Sequence, residues 1–101
     1  MAITLQFLYP FGAGDRFDYD YYLGEHLKTL KDCVGSEISA MYVIKGVSGG
    51  RDDPPYYAIT TMEFASKQNL DNAVEHLGPV LENTWKFTNV KTQTLIGETV
   101  G

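Results

Sequence analysis

Hydrophobic periodicity along this chain switches from two residues to about 3.6 and back again, twice in succession. That alternation limits the fold more than any other feature, because each period specifies which faces must be buried. Residues 3–9, ITLQFLY, alternate so that Ile3, Leu5, Phe7 and Tyr9 share one face of a strand. Pro10 and a Gly-containing stretch then stop it. Asp18 is suited to cap a helix running to about Asp32, with Asp20 favourably placed in its first turn and Gly35 at its end. Residues 36–46 read as a second strand, with Ile38, Ala40, Tyr42 and Ile44 on one face. A Gly/Pro/Asp-rich connection leads to a third strand over 56–64. Ser66 caps a second helix, in which Leu70, Ala73, Val74, Leu77 and Leu81 recur at helical spacing. Pro79 lies inside that pattern and predicts a break near His76–Gly78. A last strand begins at Val90.

The resulting order, βαββαβ, is that of a ferredoxin-like α+β fold: one four-stranded antiparallel sheet with two helices on one face, spanning 1–101 as a single domain. If the helices cover the Leu5 face, the opposite face of the first strand presents Thr4, Gln6 and Leu8. The second strand is then expected to present Ser39, Met41 and Val43 there. Such a mixture is too apolar for open water and too polar for a dry core, which predicts a homodimer packed through its sheet faces.

The charge balance excludes several partners. With a net charge of −5 and no cluster of basic residues, attraction to nucleic acid or to an anionic membrane is not available. No apolar run approaches the roughly 20 residues that span a bilayer. The first residues lack a signal-peptide pattern, and the single cysteine, Cys33, forms no internal disulfide, so the expectation is a cytoplasmic protein.

One residue stands out chemically. On a wheel of about 100° per residue, Tyr19, Tyr22, Leu23, His26, Leu27 and Leu30 fall in one arc, with His26 near its middle. The imidazole is therefore expected to point at the sheet. Desolvation there favours the neutral ring, which can accept a proton on one nitrogen and donate from the other. Tyr22, one turn earlier, is placed to hydrogen-bond a ligand or the ring. The competing reading is a core histidine satisfied by a carbonyl or a tyrosine hydroxyl.

Other candidates are weaker. His76 lies off its helix's apolar stripe, and Tyr9, Tyr42, Tyr56, Tyr57 and Trp85 either line a pocket or simply pack. The two histidines, on separate helices, make no metal site, and no phosphate loop, dinucleotide fingerprint or nucleophile elbow is present. No motif requires a cofactor.

The segment Tyr9-Pro10, then Phe17-Asp18, then Asp20-Tyr21-Tyr22-x-x-x-His26, resembles the EthD family of dimeric α+β barrel proteins. Phe64-Ala65-Ser66 and Phe87-Thr88-Asn89 extend the resemblance over essentially the whole chain. The chain departs from the family pattern just after His26, where Leu-Lys-Thr-Leu stands in place of a Met-Pro-type pair. The resemblance implies a homodimer through sheet faces and a helix–sheet pocket. It also implies that His26 sits at that pocket; from the residues themselves His26 and Tyr22 are the catalytic candidates, with Tyr9, Tyr19, Phe7, Leu30 and Trp85 expected to line the pocket. It further implies a small, mostly apolar, cyclic or aromatic ligand and a cofactor-independent oxidoreductase, cyclase, dehydratase or isomerase. Two alternatives share the same residues: a non-catalytic binding or accessory protein, and an assembly domain with a filled core.

Overall fold

The computed structural model describes residues 2–101. Strand β1 (Ile3–Pro10) leads into helix α1 over residues 19–34, and β2 (Ala40–Lys45) and β3 (Tyr56–Phe64) follow. Helices α2 (Lys67–Glu75) and α3 (Gly78–Glu82) then precede β4 (Gln93–Glu98). The strands form one antiparallel sheet in the order β2-β3-β1-β4, so the first and third strands are central. This is the ferredoxin-like arrangement expected from the two alternating periods.

Local chemistry accounts for the element ends. Asp18 is extended, and its carboxylate accepts from the Tyr21 N–H at the start of α1. Ser66 does the same for Asn69 at the start of α2. The second helix breaks between α2 and α3, as expected from Pro79, which has no N–H to donate and sits in the first turn of α3. The break changes the phase of the buried stripe. Leu70, Ala73 and Leu77 are buried, but beyond the break Val80 takes the inward position and Leu81 is half exposed.

Register decides the faces. Leu5 is opposite Met62 on one side and Ile96 on the other, and Phe7 is opposite Thr60 and Thr94. Met41 pairs with Met62 and Val43 with Thr60, so both lie on the helix side of the sheet. This corrects the expectation for the second strand, which placed Met41 and Val43 on the open face. Both alternations of that strand are apolar, so periodicity did not fix its phase. Pairing with β3 does, anchored where Ser39 donates from both N–H and hydroxyl to the Glu63 carbonyl. The open face instead carries Tyr42 and Ile44 beside Leu8, Ile59 and Leu95.

Candidate functional site

Helix α1 is not uniformly α-helical. Tyr22–His26 wind as a π-helix, and the Leu27 N–H donates to the Tyr22 carbonyl five residues back. A five-residue closure brings Leu27 under Tyr22, where an α-helix would place it off to the side. The buried face is therefore Tyr22, His26, Leu27, Leu30 and Val34. Leu23, expected inside, is 54% exposed. The inward direction of His26 agrees with the expected wheel position, and its ring is 1% exposed.

The imidazole sits among aromatic rings. It stacks on Tyr22, with centroids 5.2 Å apart and planes 21° from parallel, and lies 4.4 Å from the Phe87 centroid. Phe87 is itself fully buried and meets Tyr9, Phe17 and Tyr22 edge-on. Nδ1 of His26 is 3.1 Å from Asn83 Oδ1, at the end of α3. Burial pulls the imidazole below its ordinary value near 6.5, and the Asn83 contact partly opposes that shift. The ring is neutral at physiological pH.

Tyr22 turns its hydroxyl to Thr60 on β3, where the two hydroxyls are hydrogen-bonded. Tyr9 and Tyr22 lie edge to face at 5.4 Å, and their hydroxyls interact. Burial raises both phenols above the ordinary tyrosine value, Tyr9 far above it, so neither ionises at neutral pH. The hydroxyls of Tyr9, Tyr22 and Thr60 thus form a neutral polar strip inside the helix–sheet layer.

The remaining expected site residues separate into two groups. Phe7 and Leu30 are buried in the same layer as His26. Tyr19 lies at its margin, donating to the Tyr57 carbonyl at 2.9 Å beneath the Lys45 ammonium. Trp85 does not join them: it follows α3 in a 3-10 turn, Thr84–Lys86, and is 69% exposed. There it lines a surface hollow of about 340 Å³ with Pro79, Glu82, Asn83 and Lys86. Asn83 connects the hollow to the buried ring, since it lines the first and hydrogen-bonds the second. The hollow's lining does not include His26.

Asn83, Thr60 and Phe87 were not singled out as site residues from the sequence. Each lies tens of residues from His26 along the chain, and only Phe87 falls in a segment that carries the family resemblance. The Asn83 signal is local at most: a polar residue where a Pro-started helix ends, one turn before an aromatic pair. Among the described residues no group of His, Cys, Asp and Glu is arranged to hold a metal ion. No helix among them is long and apolar enough to cross a membrane.

Among solved structures, an EthD-like protein from Ralstonia eutropha matches with a TM-score of 0.88 and 27% identity, over 99% of this chain and 93% of that one. In fold and over nearly its whole length the chain is similar to this EthD-like protein. An ethyl tert-butyl ether D (EthD) family protein from Bacillus halodurans superposes on this chain with a TM-score of 0.78 at 19% identity, covering 99% of this chain and all of that one. An antibiotic biosynthesis monooxygenase has the same fold, with a TM-score of 0.53 at 12% identity and both chains fully covered. No family model matches the sequence, and no curated protein does.

Proposed function

We propose that this EthD-like chain binds a small, mostly apolar molecule in the layer between its helices and its sheet, with His26 as the general base or acid that moves a proton on it. The observation that supports this most directly is a neutral, desolvated imidazole carried inward on a π-helical turn and stacked on the Tyr22 ring. Cyclisation, dehydration, isomerisation and cofactor-free oxidation of such molecules share a first step: loss of a proton from a carbon or oxygen conjugated to a carbonyl. A neutral imidazole is suited to take it, and the hydroxyls of Tyr22 and Tyr9 are suited to hold the resulting oxyanion. Because the ring is 1% exposed, a ligand reaches it only as the packing around Phe87 and Asn83 parts. The working unit in this proposal is a homodimer joined through the open sheet faces, where Leu8, Tyr42, Ile44, Ile59 and Leu95 are placed to pack on their copies.

Proton NMR in D2O tests the chemistry, by following deuterium exchange next to the carbonyl of small aryl ketones. Wild-type protein accelerates exchange over buffer, and His26→Gln returns it to the buffer rate. Undiminished exchange in His26→Gln rules His26 out as the base. A second reading is favoured by the same burial: His26 packs the core and the protein only holds its ligand. Ligand recovered unaltered by mass spectrometry, with no exchange on any ketone, supports that reading.

A further inference from the structure

A neutral histidine accepts a proton at only one of its two nitrogens, and which one depends on the hydrogen bond made by the other. Asn83 is the one hydrogen-bond partner of the His26 ring among the described residues, and it meets Nδ1. The same amide has a second anchor, its nitrogen lying 3.3 Å from the Tyr21 hydroxyl as donor. With the amide nitrogen engaged there, the amide oxygen faces Nδ1, which must then carry the proton. We propose that Asn83 is the positioning residue for His26, holding the ring as the Nδ1–H tautomer so that Nε2 is the atom that accepts a proton.

The opposite arrangement is the poorer one. Were the amide turned over to donate to Nδ1, the proton would move to Nε2. A proton on Nε2 would then have no protein acceptor among the described residues, whereas on Nδ1 it has Asn83 Oδ1 at 3.1 Å. An Nε2 lone pair without a donor is the smaller loss and is what a base awaiting its substrate needs. Asn83 is also well separated in sequence, 57 residues from His26, so the pair ties α1 to the end of α3. Ring orientation therefore depends on how those two helices dock.

This inference rests on the catalytic reading of His26, but its main test does not. Long-range nitrogen–proton spectra of the full-length, nitrogen-15-labelled protein report which imidazole nitrogen carries the proton without any ligand present. The wild-type ring is expected as Nδ1–H. Asn83→Asp, which keeps an acceptor oxygen, preserves that form, whereas Asn83→Leu loses the preference. In the ketone exchange assay, Asn83→Leu is expected to slow exchange by about tenfold to a hundredfold, the range typical of groups that orient a histidine, and Asn83→Asp recovers part of it. An Nε2–H ring in the wild type overturns the inference outright, needing no variant to fold. So does an unchanged Nδ1–H signature in Asn83→Leu. A ring held as Nδ1–H with no exchange by any protein removes the catalytic reading instead, and leaves Asn83 as the group that sets the tautomer.

Discussion

The two faces of the sheet are built from alternate residues of the same four strands, yet they are different environments. On the helix side, Leu5, Phe7, Tyr9, Ala58, Met62 and Phe64 are almost wholly buried, and the polar atoms among them are paired. On the open side, Tyr42, Ile44 and Leu95 are each about half exposed, interspersed with Thr4, Gln6 and Thr61. Gln6 and Thr61 satisfy one another across strands at 3.0 Å, but the apolar groups around them have no cover within the chain. The helix face is thus complete as it stands, a finished core with His26 inside it. The open face leaves its apolar side chains half exposed, the arrangement the proposed dimer would cover. Alternation alone produces both, so stability and the proposed association draw on separate sets of residues and respond to different substitutions.

The sharpest way to break that separation is at Phe87, which packs on the His26 ring and on three others, Tyr9, Phe17 and Tyr22. Phe87→Ala should cost about 3–5 kcal/mol in urea unfolding. A loss below about 1 kcal/mol would show the aromatic layer to be loosely packed. Next is a paired test of the π-helical turn: Leu27→Ala should cost about 2–5 kcal/mol, and Leu23→Ala should stay within about 0.5 kcal/mol. A regular α-helical face would make both costly. Thr60→Val removes the hydroxyl that Tyr22 meets and leaves a buried phenol short of a partner, for about 1–3 kcal/mol.

Proton linkage gives a smaller effect with a definite sign. The native imidazole lies below its ordinary value near 6.5, so the unfolded chain binds the extra proton first on acidification. The contribution of neutral His26 is fully present above about pH 6.5 and is lost as pH falls toward the native value. Unfolding midpoints of the wild type should therefore drop faster than those of His26→Gln between neutral and mildly acidic pH. Parallel curves would place the ring in water. The smallest stability change belongs to the open face. Ile44→Glu should alter unfolding free energy by no more than about 0.5 kcal/mol per chain, yet halve the mass seen by light scattering. A mass that stays at one chain in the wild type would remove the dimer from the proposal.

How much of this was legible in the sequence follows from which signals are local. Strand β3 lies where its β-branched and aromatic run placed it, and the Ser66 cap and the Pro79 break each rest on one residue's backbone chemistry. The direction of His26 was readable because a helical face needs only spacing. The phase of β2 was not, since Ile38-Ala40-Tyr42-Ile44 and Met41-Val43 are both apolar and only the ladder to β3 chooses between them. Leu23 was misplaced because a wheel assumes one winding throughout, and nothing in YLGEH announces a wider turn. Trp85 was expected in the pocket on ring size alone, and the 3-10 turn carries it outward. Asn83 and Thr60 became visible only when the fold brought three distant segments together.

A wider turn is, in effect, a residue more than a regular helix needs for the same length. Removing Gly24, whose α-carbon faces open space, offers α1 a route to regular winding without disturbing either flanking strand. The residues after it would then shift by one position around the axis, carrying His26 off the stacking plane of Tyr22. In this chain the aim of the imidazole is therefore a matter of counting as well as of chemistry. Homologues that dispense with the spare residue must point a different side chain at the same spot.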